Sequence, residues 1–265
     1  SKGQRQVTES DDLAEYVPTA HIGVEIGGGV GLHYHYGTLG QLQHGINYAN
    51  AYLSSLGKVE GDSRKLNKWP YTKSGIVKLF IMAGHRNMEG ERAFSDDLKR
   101  IKNKKLLLDN NLDVAYKYSL GGGYKVSKEW EPLGLVDYYS SFGPELSFGS
   151  FLDKKDIGDF AIAKFTHSGS QIIDWTPEGS IAESRNLYDK FIRFIKESIS
   201  EIREKGNEVK LEGIFYHIGE NDMSFGPHRT NAPRWISSIV EQSRKDLRNE
   251  ELNWYLSQQP PTDDK

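Results

Sequence analysis

The sequence predicts an α/β protein with a mostly parallel sheet covered by helices on both faces. Three observations lead there. From residue 76 onward, strand-like hydrophobic runs alternate with helical segments, a pattern that places helices on both sides of a parallel sheet. The run Ile76-Val77-Lys78-Leu79-Phe80 continues through Ile81-Met82-Ala83 to a glycine turn at Gly84 and then to polar side chains. That is how α/β folds build sites at the carboxyl ends of strands. The length of 265 residues suits one large α/β domain, or such a domain with a decorated end, and can bury a substantial core.

Residues 1–18 are polar and read as a flexible lead-in. In His21–Gly31, alternating apolar residues precede Gly27, Gly28 and Gly29, which predicts a short strand and a turn. The glycines do not make a phosphate loop, because no Gly-Lys-Ser/Thr follows and no dinucleotide-type glycine register leads into a helix. His33 and His35 alternate, so on a strand both imidazoles face one way, as in a metal site. No third ligand is assignable, and surface histidines explain them better. A helix is expected over 38–56, with Thr38 as N-cap and Gly57 as stop. A charged linker, 58–75, precedes the main strand. Ala161–Phe165 is a second core strand. An amphipathic helix is expected over 184–205, where Leu187, Phe191, Ile195, Ile199 and Ile202 share a face and Gly206 ends it. Leu211–Ile218 reads as a third strand, 235–248 as another helix, Leu252–Leu256 as a fourth strand, and the tail as a frayed end.

Composition narrows the function. A formal charge of −3 and a pI near 6.3 give no reason to expect nucleic acid as a partner. No run of 18 apolar residues predicts a membrane span. No signal peptide is visible, and the chain begins with Ser1 rather than Met. The absence of cysteine excludes disulfides, thiol nucleophiles and thiolate metal sites, and leaves the compartment open. Aromatic residues reach 11%, which suits a sugar-binding cleft but is accounted for more simply by the core. Nothing calls for a cofactor or a metal, and the oligomeric state is not written in the sequence.

Four pieces carry the chemistry. They are Gly84-His85-Arg86-Asn87-Met88-Glu89-Gly90, then Gly143-Pro144-Glu145-Leu146-Ser147-Phe148-Gly149, then Lys164-Phe165-Thr166-His167-Ser168-Gly169-Ser170 with Asp174, Trp175 and Pro177 behind it, and last Tyr216-His217-Ile218-Gly219-Glu220-Asn221-Asp222. In this order they resemble the SGNH-hydrolase superfamily, in the version used by carbohydrate esterase family six and the sialate O-acetylesterases. The resemblance covers roughly residues 76–259. It implies a three-layer α/β/α sandwich of SGNH-hydrolase-like, flavodoxin-like type over 76–265, with 1–75 as an unassigned N-terminal extension. It also implies acetyl-ester hydrolysis of carbohydrate, as in the acetylxylan and sialate esterases, and export to the periplasm or the outside.

Two departures matter. The family's first block reads Ala-Gly-Gln-Ser-Asn-Met-x-Gly with serine as nucleophile; here His85 stands for the glutamine and Arg86 for the serine. The family's last block, Asp-x-x-His, follows the strand near Tyr255, and the chain reaches Lys265 without such a histidine, so the block is either lost or truncated. Ester cleavage needs an activated hydroxyl, an imidazole oriented by a carboxylate, and donors for the oxyanion. The resemblance puts the donors at the amides of Arg86 and Gly143 and at the Asn221 side chain. A guanidinium is no nucleophile. Any hydrolysis would use water activated by His85, His167, His217 or His228, with Glu220 or Asp222 assisting.

His85, Asn87, Ser168 and Trp175 are the candidate ligand-binding residues. His85 also suits a structural hydrogen bond, and His217 a satisfied buried imidazole. Trp175 forms either a sugar-stacking wall or packing beneath the loop, and Glu145 is expected to hold its loop through backbone amides. Arg86 either pairs with Glu220 or Asp222 and fills a dead pocket, or holds a carbohydrate or small acidic ligand. The reading requires Arg86 to lie beside the loops of Gly143 and Asn221. It also requires that no other serine stand ready against an imidazole.

Overall fold

The computed structural model describes residues 2–17, 25–26, 34–36, 38–56, 69–100, 114–136 and 141–258. In chain order the strands are β1 (Ala14–Tyr16), β2 (Glu25–Ile26), β3 (Tyr34–His35), β4 (Ile76–Gly84), β5 (Ala115–Leu120), β6 (Lys125–Val126), β7 (Glu131–Pro132), β8 (Phe160–Thr166), β9 (Glu208–His217) and β10 (Trp254–Ser257). The helices are α1 (Lys2–Ser10), α2 (Thr38–Leu56), α3 (Arg86–Glu89), α4 (Ser95–Arg100), α5 (Glu145–Asp153), α6 (Tyr188–Glu204), α7 (Glu220–Met223) and α8 (Gly226–Asp246).

The main sheet runs β1-β10-β9-β4-β8-β5-β6, with β7 also paired to β5. The pairings from β1 through β5 are all parallel, and β6 and β7 are antiparallel additions at one edge. β2 and β3 form a separate antiparallel pair. The alternation of β4 sorts the core into two layers. Val77, Leu79, Ile81 and Ala83 face a cluster with Val7 of α1, Phe191, Ile195 and Ile202 of α6, and Ile236, Ile239 and Val240 of α8. Phe80 and Met82 face the opposite cluster with Leu42, Tyr48 and Tyr52 of α2 and Leu146, Phe148 and Leu152 of α5. Helices therefore cover both faces of the sheet, giving the α/β/α sandwich expected from the sequence.

All four expected core strands form, each with shifted ends, and so do the helices over 38–56 and in 188–204. Residues 2–17 differ from the flexible lead-in expected over 1–18. Val7 is buried, Gln4 Nε2 donates to the Ser257 carbonyl (2.8 Å), Asp11 pairs with Arg244, and β1 adds to β10. A polar segment is ordered here because its few apolar and amide side chains meet a sheet edge. α8 starts nine residues before the expected Trp235, since Pro227 occupies the first turn, where a missing N–H costs nothing, and Pro233 lies inside the helix. β5 went unread because Lys117 and Ser119 break its apolar pattern; Lys117 is buried against Glu201 of α6. Gly27, Gly28, Gly29, His33, Gly57 and most of the 58–75 linker lie outside the described residues.

Register positions the site. Gly84 pairs with Thr166 on one side and His217 on the other, and His217 pairs with Ser257. The carboxyl ends of β8, β4, β9 and β10 thus lie level in one row. Gly84 has φ +144°, and a β-carbon there would stand 2.0 Å from the His217 carbonyl, so only glycine lets these two strand ends close.

The amphipathic face of α6 is the largest single contribution to one layer, and Phe191 is fully buried at its centre. Phe191→Ala is expected to lower unfolding free energy by about 3–5 kcal/mol, read by chemical denaturation. A loss below about 1 kcal/mol would contradict this packing.

Candidate functional site

The site stands on a buried ion pair. Lys164 Nζ of β8 lies 2.8 Å from Glu145 Oε2 at the start of α5, and both side chains have at most 1% exposure. The same ammonium donates to the Glu89 carbonyl (3.1 Å), and the other oxygen of Glu145 accepts the Gly143 amide (2.9 Å). Three of the sequence blocks are therefore joined by two charges. Glu89 adds a second tie: its Oε2 accepts Thr166 Oγ1 (2.7 Å) and the Gly121 amide (3.1 Å). Burial pushes the Glu89 carboxyl above its usual range, and those two hydrogen bonds oppose the rise. Gly143 sits so tightly against this turn that a β-carbon would meet the Met88 carbonyl at 2.4 Å. Glu145 does hold its loop through a backbone amide.

Arg86 opens α3 directly after His85. Its Nη2 lies 3.9 Å from where a β-carbon of Gly169 would stand, so the guanidinium borders the turn that follows β8. Asn221 Nδ2 donates to the Ser170 carbonyl on that same turn (3.0 Å). Gly143 thus packs against α3, and Asn221 joins the turn that Arg86 borders. Of the expected oxyanion donors, the Gly143 amide is engaged by Glu145, and one N–H of Asn221 is engaged by Ser170.

The imidazoles divide into two groups. His228 Nδ1 donates to Asp222 Oδ1 (3.1 Å), and both Asp222 oxygens also accept the Ile172 amide (3.2 and 3.1 Å). Phe225 and Trp235 flank the His228 ring edge-to-face, at 5.0 and 5.1 Å. Burial raises the Asp222 carboxyl to about 6, against the pull of the Ile172 and His228 hydrogen bonds. Once ionised, Asp222 fixes the proton on Nδ1 and leaves Nε2 of His228 as the basic nitrogen. The structure thus brings together an imidazole and a carboxylate that are both among the sequence candidates.

The second group is buried beneath the strand ends. Glu220 Oε1 lies 2.6 Å from His217 Nε2, and Oε2 lies 3.1 Å from His85 Nε2. His217 Nδ1 lies 2.7 Å from Ser257 Oγ. A serine does therefore stand against an imidazole whose far nitrogen meets a carboxylate. Ser257 is nonetheless fully buried, and its oxygen is also approached by Tyr48 Oη (2.6 Å) and His44 Nε2 (3.1 Å). A hydroxyl offers one donor and two acceptor positions. Three side chains thus converge on this one hydroxyl, as many partners as its donor and two acceptor positions can take. Burial, and next the charge of His217, lower the His44 imidazole well below its ordinary range. Ser257 is a structural hub in this arrangement and not a poised nucleophile.

The remaining candidates are structural in part. Asn87 is buried; its Oδ1 accepts the Tyr36 amide (3.2 Å) and its carbonyl accepts Gln41 Nε2 (2.6 Å), which ties the N-terminal segment to α3. Trp175 has no exposure and donates to Ser170 Oγ (3.0 Å), so it packs beneath the loop and offers no stacking face. His167 donates to the Ser168 carbonyl (2.7 Å), and Ser168 is partly exposed on the turn beside Arg86. Sequence reasoning missed Ser257, His44 and Tyr48, since nothing local marks residues of α2 and β10 as partners. The lone lysine inside Ala161-Ile162-Ala163-Lys164-Phe165 was a readable signal, because a charge in a strand covered on both faces needs a buried partner.

Residues 76–260 match the family described as carbohydrate esterase, sialic acid-specific acetylesterase. Among solved structures, the chain is similar to a protein from Arabidopsis thaliana determined by X-ray crystallography. Identity is 16%, the likeness covers 68% of this chain and 72% of that one, and the TM-score is 0.46. No protein of curated function matches the chain.

Two outcomes test the site's framework. Lys164→Met leaves Glu145 buried without its cation and is expected to cost about 3–5 kcal/mol in denaturant unfolding; a change under about 1 kcal/mol would contradict the clamp. Asp222, with its folded pKa raised to about 6, contributes stability that is present below its unfolded value and is lost as pH rises through about 6. The stability of the unmodified protein relative to Asp222→Asn should therefore fall between about pH 4 and 7. A difference that stays constant or grows over that range would contradict the assignment.

Proposed function

The chain belongs to the family of carbohydrate esterases, sialic acid-specific acetylesterases, and on that premise we propose that it binds acidic carbohydrate around Arg86 and lacks the serine route of ester cleavage. The observation that carries this reading is Arg86 itself. It occupies the second position after β4, where the family keeps its attacking serine, and its guanidinium borders Gly169 at the carboxyl ends of the strands. Arginine cannot attack a carbonyl, but it presents a planar fork of donors that matches a carboxylate. A carboxylate-bearing sugar would thus be retained where a neutral acetylated sugar would be cleaved.

One observation favours a second, hydrolytic reading. The His228–Asp222 pair is oriented as a general base. In that reading Nε2 of His228 takes a proton from water as the water oxygen attacks the acetyl carbonyl. As the bond from the acyl carbon to the sugar oxygen breaks, that proton passes to the departing oxygen, which leaves as a hydroxyl, and acetate is released.

The test is calorimetric titration with N-acetylneuraminic acid, paired with an acetate-release assay on its O-acetylated form. The unmodified protein is expected to bind the acid, and Arg86→Gln to bind it roughly 10–100-fold more weakly, the usual cost of a charge-assisted hydrogen bond. Equal affinity in the two proteins would overturn the binding reading. Acetate release abolished by His228→Asn would favour the hydrolytic one.

A further inference from the structure

The turn that borders Arg86 is gripped by a second arginine. Arg185 closes the short 3-10 turn Glu183–Arg185 ahead of α6. Its Nη2 donates to the Gly169 carbonyl (2.9 Å) and to Asp174 Oδ2 (2.9 Å). Gly169 is also the residue whose open side faces Nη2 of Arg86. Two guanidinium groups from separate segments therefore meet at one glycine, whose φ of +78° disfavours any side chain between them.

Arg185 is held at one end of its fork. Arg185 is anchored through one nitrogen, because Asp174 is buried and itself fixed by the Gln171 amide at the same oxygen (2.9 Å). The Arg185 side chain keeps 43% of its surface exposed, and its hydrogen bonds to Gly169 and Asp174 both leave from Nη2. Asp174 thus offsets one charge while orienting the fork, and the rest of the fork is presented at the surface. A pre-oriented guanidinium loses little freedom on meeting a planar anion, and two of them around one point discriminate by charge.

We propose that Arg185 is the second arm of an acid clamp with Arg86, and that the clamp selects carbohydrates bearing a carboxylate over their neutral counterparts. The inference rests on the proposed binding of acidic sugar at Arg86, and it adds the residue that sets specificity.

The test compares N-acetylneuraminic acid with its methyl ester, titrated into the full chain and into Arg185→Gln, Arg185→Lys and Arg86→Gln. The unmodified protein is expected to prefer the free acid by tenfold or more. Arg185→Gln should erase most of that preference while leaving ester affinity within about twofold, and Arg185→Lys, which keeps the charge without the fork, should lie between. If Arg185→Gln keeps the full preference while Arg86→Gln loses it, the clamp is overturned and binding at Arg86 stands. If Arg185→Gln weakens acid and ester alike, Arg185 merely supports the turn, and the clamp is again overturned. If the unmodified protein shows no preference for the acid, both readings fall.

Discussion

The contact between Lys164 and Glu145 is the constraint from which the site's geometry follows. Two opposite charges share a space closed to water, and the Glu89 carbonyl and Gly143 amide each add a hydrogen bond to the pair. A buried pair of this kind is weak as a source of net stability, because desolvation offsets most of the attraction. Its value lies in discrimination: any register that separates the two groups strands a charge in the core. That fixes α5 and its preceding loop against α3 and β8, and so fixes where Gly143 stands relative to Arg86. The level row of strand ends, Ser257, His217, Gly84 and Thr166, then supplies a floor on which the loops are seated.

Beneath that floor runs a second set of buried polar groups, from His85 through Glu220 and His217 to Ser257, and on to Tyr48 and His44 of α2. In connectivity it resembles a hydrolase relay. What separates it from one is crowding and burial, since three side chains converge on the serine oxygen and no surface reaches it. The same groups bind α2 to the sheet end, so an N-terminal helix shares in the site's support. The chemistry open to solvent lies one layer above, where Arg86, Arg185 and the His228–Asp222 pair gather around the turn from His167 to Trp175.

Much of this was legible in the sequence because the signals were local. The alternation of β4, the i+3/i+4 stripe of α6 and the glycine turn at Gly84 each report on their own neighbourhood. The four blocks also located the loops that do converge. What escaped were contacts between distant segments and elements whose polar residues are matched elsewhere. Lys117 made β5 look unlike a buried strand because its partner, Glu201, is supplied by α6. Pro227 and Pro233 hid the first turns of α8, where neither prevents a helix. Trp175 read as a possible sugar platform because an indole in a loop is ambiguous until its burial is known. Ser257 lay in a strand with no motif around it, and only register brings it to His217.

The proposal turns on Arg86 standing where an esterase of this family holds its attacking hydroxyl, and on that guanidinium binding the carboxylate of an acidic sugar. A crystal structure of the protein soaked with N-acetylneuraminic acid tests this most directly. The account predicts the sugar at the carboxyl ends of β4 and β8, with its carboxylate in hydrogen-bonding reach of the Arg86 guanidinium. A sugar bound there with its carboxylate turned to solvent, or one found only away from Arg86, would contradict it.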